Sequence, residues 1–203
     1  RDIGLHNQTL LLEPVGKNTA PALTLAAISA VKEQNDAILL VMPADHVIAD
    51  KIAFQAAVEA GLNQAQLGAI ITFGIKAHRP ETGYGYIRMG KAITENDIYA
   101  IDCFVEKPDM ATAQTYGDSG QYLWNSGIFM MRASVWLRAI QHFNPTMYTT
   151  CQQSITNAKS DCDFVRITKE DFSLCPSDSI DYAVMEKLNT SPELGIQACV
   201  IPL

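Results

Sequence analysis

Three short, continuous apolar runs constrain the fold of this chain more than any other feature. "TLLLEP" (Thr9 to Pro14) and "AILLVMP" (Ala37 to Pro43) are each halted by a proline, and "AIITFGI" (Ala69 to Ile75) follows. Each is too short for an independent helix, and proline biases the residue before it towards extended backbone. They are read as strands buried on both faces. Between the first two, "NTAPALTLAAISAVKEQ" offers Asn18 or Thr19 as a cap and apolar residues at i, i+3 and i+4, which suits a helix. Between the second and third, "DKIAFQAAVEAGLNQAQLG" has an acidic start, helical spacing and a closing Gly68. Strand, helix, strand, helix, strand implies right-handed crossovers. The predicted architecture is α/β: a Rossmann-like mixed, mainly parallel sheet with helices on both faces.

After Ile75 the texture changes to "RPETGYGYIRMG", dense in glycine and aromatic residues. Then come a strand, "YAIDCFVEKP", a helix, "MATAQTYGDSG", a strand, "YLWNSGIFMMR", and two helices, "SVWLRAIQHF" and "PTMYTTCQQSITNA". "DCDFVRITKEDFSLCPSDS" reads as loop with short structure, "SIDYAVMEKL" as a helix and "LGIQACVIPL" as a strand. No repeat, low-complexity tract or linker interrupts the 203 residues, so one domain spanning 1–203 is expected.

The net charge of −7 argues against sequence-independent nucleic-acid binding, which needs clustered cations, but not against a single nucleotide. No apolar run approaches the roughly 18 to 20 residues of a membrane span. The opening "RDIGLHNQ" lacks a signal-peptide layout and a starting Met. Five cysteines, odd in number and without a C-x-x-C pair, are read as idle thiols in a reducing cytoplasm.

In open parallel sheets, ligands bind beyond the carboxyl ends of strands, which is where Asp45 of "VMPADHVI" falls. There a carboxylate can hold a Mg²⁺ that bridges phosphate oxygens, or it can cap the next helix. His46 beside it reads as an ordinary, satisfied histidine. In "EKP", Lys107 can neutralise a phosphate while Glu106 accepts sugar hydroxyls, or the two form a solvated ion pair. Gly83 and Gly85 of "TGYGYI" either let a ligand approach the backbone or serve a turn. Asn125 of "WNSGIF" is an odd choice inside an apolar strand unless its amide serves a ligand. "EPVGKNTAPA" ends a strand and opens a helix, so its N–H groups can face an anion. Neither G-x-x-x-x-G-K-[ST] nor G-x-G-x-x-G is found.

"EPVGKNTAPA", "VMPADHVI", "FGIKAHRPETGYGYI", "FVEKPD", "YLWNSGIF" and "SIDYAVMEK", in this order, closely resemble the bacterial mannose-1-phosphate guanylyltransferases, or GDP-mannose pyrophosphorylases. The resemblance implies an enzyme that condenses GTP with mannose 1-phosphate, with Mg²⁺ as cofactor. It implies that Asp45 binds the metal and that Lys107 contacts the sugar phosphate, these two being the catalytic residues. Tyr84, Gly85, Glu106 and Asn125 are then substrate-binding, with Asp181 and Lys187 near the site, and Glu13, Asn18 and Thr19 belong to the guanine-nucleotide pocket. The family also carries a G-x-G-x-R-x-x-P loop and a W-x-D-x-G stretch; this chain begins after the first and stops before the second. A domain incomplete at both ends is therefore expected, impaired by truncation and prone to form a homo-oligomer through an uncovered sheet edge. The alternative is a non-catalytic sugar-phosphate-binding or assembly module. A nucleotidyltransferase acting on glucose or another sugar phosphate is the third reading.

Overall fold

The computed structural model describes residues 8–34, 36–93 and 97–203. Residues 1–7, which carry most of the opening read above as having no leader, lie outside them. The apolar runs do become strands: β1 (Leu10–Leu12), β2 (Ile38–Val41) and β3 (Ile70–Lys76). The segments between them become α1 (Thr19–Gln34) and α2 (Lys51–Gln66). The rest of the chain supplies β4 (Tyr86–Ala92), β5 (Tyr99–Val105), α3 (Met110–Ser119), β6 (Tyr122–Arg132), α4 (Ala133–Phe143), α5 (Pro145–Thr156), β7 (Lys159–Asp161), β8 (Phe164–Arg166) and β9 (Ala198–Pro202).

The main sheet has the order β2-β6-β3-β9-β5-β4. Its pairings correct the expectation of a mainly parallel sheet. β2, β3, β4 and β9 share one direction, but β6 is inserted antiparallel between β2 and β3, and β5 is antiparallel to β9 and β4. Among the described residues only β3 and β9 are parallel neighbours in this sheet. The physical reason is that β6 is long and apolar on both sides, and it outcompetes β2 for the edge of β3.

β1 departs further from expectation. It leaves the main sheet and pairs parallel with β8, and β8 with β7, in a small three-stranded sheet. Its Leu10 and Leu12 are exposed, so it is not buried on both faces. β2 is likewise half open, with Leu40 and the following Met42 exposed along its unpaired side.

Helices cover both faces of the main sheet, as expected. Period-two alternation along β6 shows this directly. Phe129 and Met131 join the core under α1, α4 and α5, whereas Ile128 and Met130 join the core under α2. α1 buries Ala20, Leu23, Thr24, Ala27 and Ile28, an i, i+3, i+4, i+7, i+8 stripe, against the first core. Trp136 of α4 closes that core, its Nε1–H donating to Thr24 Oγ1 at 3.0 Å. α2 starts at Asp50, whose Oδ1 accepts from Ala53 N–H at 2.9 Å. That cap leaves Asp45 free of the helix-capping role that its sequence position also allowed.

Candidate active site

β2 and β3 end at the same edge of the sheet, and β4 begins there. A cleft of about 480 Å³ opens at this place, lined by residues of five segments that include Tyr84, Gly85, Glu106, Trp124, Asn125 and Asp181.

Two strand ends and a bulge bring these side chains together. Asn125 N–H donates to Gly85 O at 2.8 Å, and Lys107 N–H reaches Tyr84 O at 3.3 Å, so the three sequence motifs are stitched by backbone bonds. Lys107 sits at φ +47°, in the left-handed region, where a non-glycine residue stores strain that the surroundings must hold. A Cβ added at Gly85 would meet Glu106 Oε2 and press on Asn125, so the Glu106 carboxylate would have to move. Tyr84 and His78 both meet the Trp124 indole edge-on, at 5.4 and 4.6 Å between centroids, and form an aromatic wall.

The polar side of the cleft is tightly coupled. Lys107 Nζ donates to Glu106 Oε1 at 2.7 Å, and this bond holds the ammonium above the usual lysine range. Asn125 Nδ2 donates to Asp181 Oδ1 at 2.8 Å. Burial, and then the nearby Glu106 charge, push the Asp181 carboxyl up to about 6.

Asp181 opens a π-helical turn, Asp181–Met185, in which the Glu186 N–H donates to Asp181 O. This i→i+5 bond stacks Glu186 above Asp181, and the Glu186 carboxylate accepts from Glu106 N–H at 2.8 Å. Glu186 thus anchors the Val105–Glu106 peptide that leads into the strained Lys107, a role that reading "SIDYAVMEK" as an ordinary helix did not reveal. Lys187, the residue named from the sequence, is exposed and does not line the cleft.

The remaining sequence candidates lie nearby. Asp45 is exposed and lines an adjoining, more apolar cavity of about 570 Å³, which shares His46, Ile75 and Ser126 with the cleft. Thr19 lines a trough of about 530 Å³ between α1 and β2, and its Oγ1 accepts from Ile180 N–H at 3.0 Å, next to Asp181. Asn18 adopts φ +70° and accepts from Thr19 N–H. Glu13 is outside the cleft, where burial raises its carboxyl. Pro43, His78 and Arg79, not singled out from the sequence, also line it.

Among the described residues no group of three or more His, Cys, Asp or Glu side chains gathers to hold a metal ion. Mg²⁺ that arrives on a phosphate needs only one or two protein carboxylates and otherwise keeps water and phosphate oxygens. An exposed Asp45 fits that demand, whereas a fully protein-built cage does not.

The Asp181 shift carries a pH dependence. A carboxyl whose folded pKa exceeds its unfolded value keeps its proton longer in the folded state, so stability falls as pH rises between the two values. Stability is expected to decline from about pH 4 to pH 6, and Asp181→Asn to remove that slope, in urea denaturation across this range.

Comparison with known proteins decides the family. The sequence profile described as nucleotidyl transferase matches residues 3–172. The chain belongs to the nucleotidyl transferase family. It is 48% identical over all 203 residues to the xanthan biosynthesis protein XanB of Xanthomonas campestris pv. campestris (strain B100), and covers 41% of that protein. It is 50% identical over 188 residues, 92% of this chain and 39% of the relative, to mannose-1-phosphate guanylyltransferase RfbM of Salmonella typhimurium. The chain therefore spans about two fifths of the length of these relatives. A crystal structure of mannose-6-phosphate isomerase from Helicobacter pylori superposes with a TM-score of 0.82 at 28% identity, covering 96% of this chain and 72% of that one. The α/β fold of this nucleotidyl transferase chain is shared with that structure. Among the described residues, no helix is long and apolar enough to cross a membrane.

Proposed function

We propose that residues 1–203 form part of one nucleotidyltransferase domain, a mannose-1-phosphate guanylyltransferase that joins GTP and mannose 1-phosphate into GDP-mannose and pyrophosphate. The observation that carries the reading is the grouping of Glu106, Asn125 and Asp181 on one cleft with the Lys107 ammonium beside them. Carboxylates accept from sugar hydroxyls, an amide both donates and accepts, and a compact ammonium matches a phosphate. The similarity to the mannose-1-phosphate guanylyltransferase of Salmonella supports the same substrates.

In this reading Glu106 and Asp181 accept from sugar hydroxyls, and the second Asn125 N–H donates to one. Tyr84 and Trp124 wall the sugar ring, and the absent Gly85 side chain lets it approach the backbone. Lys107 neutralises the sugar phosphate. A phosphate oxygen of that sugar attacks the α-phosphorus of GTP in line; the bond to the β-phosphate oxygen breaks and pyrophosphate leaves with the electron pair. Such a transfer needs positioning and charge neutralisation more than a protein nucleophile. Asp45 would hold Mg²⁺, which when bound supplies charge stabilisation at phosphate oxygens. Glu13, Asn18 and Thr19 serve the nucleotide side, and exposed Lys187 takes no part at the cleft.

The reaction is cytoplasmic, and the open β2 edge favours a homo-oligomer, which light scattering tests by a mass above 22.2 kDa. Release of pyrophosphate from GTP, dependent on mannose 1-phosphate and Mg²⁺, tests the activity. Saturable sugar-phosphate binding without pyrophosphate release would instead support a non-catalytic binding module.

A further inference from the structure

The β3–β6 ladder breaks its register beside the cleft. Thr72 pairs with Phe129 but Gly74 pairs with Asn125, so Phe73 alone faces Ser126, Gly127 and Ile128. Asn125 borders this bulge, keeping its pairing with Gly74 while its side chain reaches Asp181, and bulges beside active sites commonly re-aim a side chain in this way. Gly127 at φ +72° makes the bend possible.

One hydroxyl spans the bulge. Thr72 Oγ1 lies 2.9 Å from Asn125 Oδ1 and 3.0 Å from Ile128 O, at a position with no solvent exposure. Gly127 N–H also donates to Asn125 Oδ1, at 3.3 Å. The single Thr72 hydroxyl proton is shared between Asn125 Oδ1 and Ile128 O, and with the Gly127 N–H it holds the amide oxygen, so the Asn125 amide presents its NH₂ to Asp181 and the cleft; a flipped amide would set NH₂ against the Gly127 N–H and its oxygen against the Asp181 carboxylate. A threonine in a buried strand is ordinarily a packing residue. Valine would fill the same space, so the hydroxyl is a polar group placed in a core for a reason other than volume.

We propose that Thr72 is a positioning residue that sets the orientation of the Asn125 amide, and through it the hydroxyl recognition of the sugar phosphate. The inference rests on the sugar-cleft reading given above, and a ligand-free measurement keeps the two separable.

In the 203-residue protein, the Asn125 side-chain NH₂ pair is followed by ¹⁵N NMR, and mannose 1-phosphate binding by calorimetry. Thr72→Val is expected to shift and broaden the Asn125 NH₂ resonances and to weaken binding about tenfold, the scale of one lost buried hydrogen bond. Thr72→Ser restores both. In an Asn125→Ala background Thr72→Val has no further effect on binding, because its action passes through Asn125. Unchanged NH₂ resonances in Thr72→Val overturn the proposal, and so does a Thr72→Val binding loss that persists in full without Asn125. Wild-type binding by Asn125→Ala together with perturbed NH₂ resonances in Thr72→Val retains the positioning role and overturns the sugar-cleft reading instead.

Discussion

Lys107→Ala is expected to weaken mannose 1-phosphate binding by about ten- to a hundredfold, the range of one charge-assisted hydrogen bond to a phosphate. The ammonium is bonded at 2.7 Å to Glu106, one of the two cleft carboxylates proposed to bind the sugar. It also moderates the charge inside the cleft. The Glu106 side chain is 7% exposed and faces Asp181, so removing Lys107 leaves two nearby carboxylates without their cation. The Asp181 midpoint therefore rises further in Lys107→Ala, because the lysine charge lowers it in the wild type. Carboxyl ¹³C NMR reads that midpoint without any ligand. Lys107→Arg is not expected to rescue binding, since a planar fork on a left-handed residue cannot reproduce a compact point charge.

Trp136→Ala is expected to cost about 3–5 kcal/mol of folding stability, the range for deleting a large aromatic from a core. Trp136 has no solvent exposure and lies where α1, α4 and the sheet meet. Its Nε1–H bond to Thr24 Oγ1 adds a polar requirement, because Thr24 is itself buried and already bonded to Ala20 O. Thr24→Val should therefore cost about 1–3 kcal/mol by leaving the indole N–H unsatisfied. Urea denaturation followed by far-UV circular dichroism measures both. A Trp136→Ala loss below about 1 kcal/mol would mean that the two helices pack more loosely than described.

Much of the element order was legible because apolar periodicity is local. β2, β3, α1 and α2 fall where "AILLVMP", "AIITFGI" and the spacing between them place them. The strand partners were not legible. Nothing in "YLWNSGIFMMR" says that it inserts between β2 and β3, because the choice of hydrogen-bond partner is a non-local contest among strands. The cysteines illustrate the same limit: Cys151 and Cys175, 24 residues apart, lie with sulfurs 3.7 Å from each other, a neighbourhood that spacing alone does not disclose.

At the cleft, Gly85, Glu106 and Asn125 were singled out because each is a polar or small residue in an unusual apolar or strand-end setting, whereas Tyr84 and Asp181 were named only through the family resemblance. Thr72 and Glu186 were not singled out. Threonine in a β-rich run is indistinguishable from an ordinary strand former. Glu186 comes beside Asp181 through a π-turn, and a regular α-helical reading of the same residues does not stack positions five apart.

The most direct test of the central claim is a calorimetric titration of the 203-residue protein with mannose 1-phosphate, run beside Lys107→Ala under the same conditions. The cleft described here predicts saturable binding at one site per chain, weakened at least about tenfold by the substitution. Absence of wild-type binding, or equal binding by the two proteins, would contradict it.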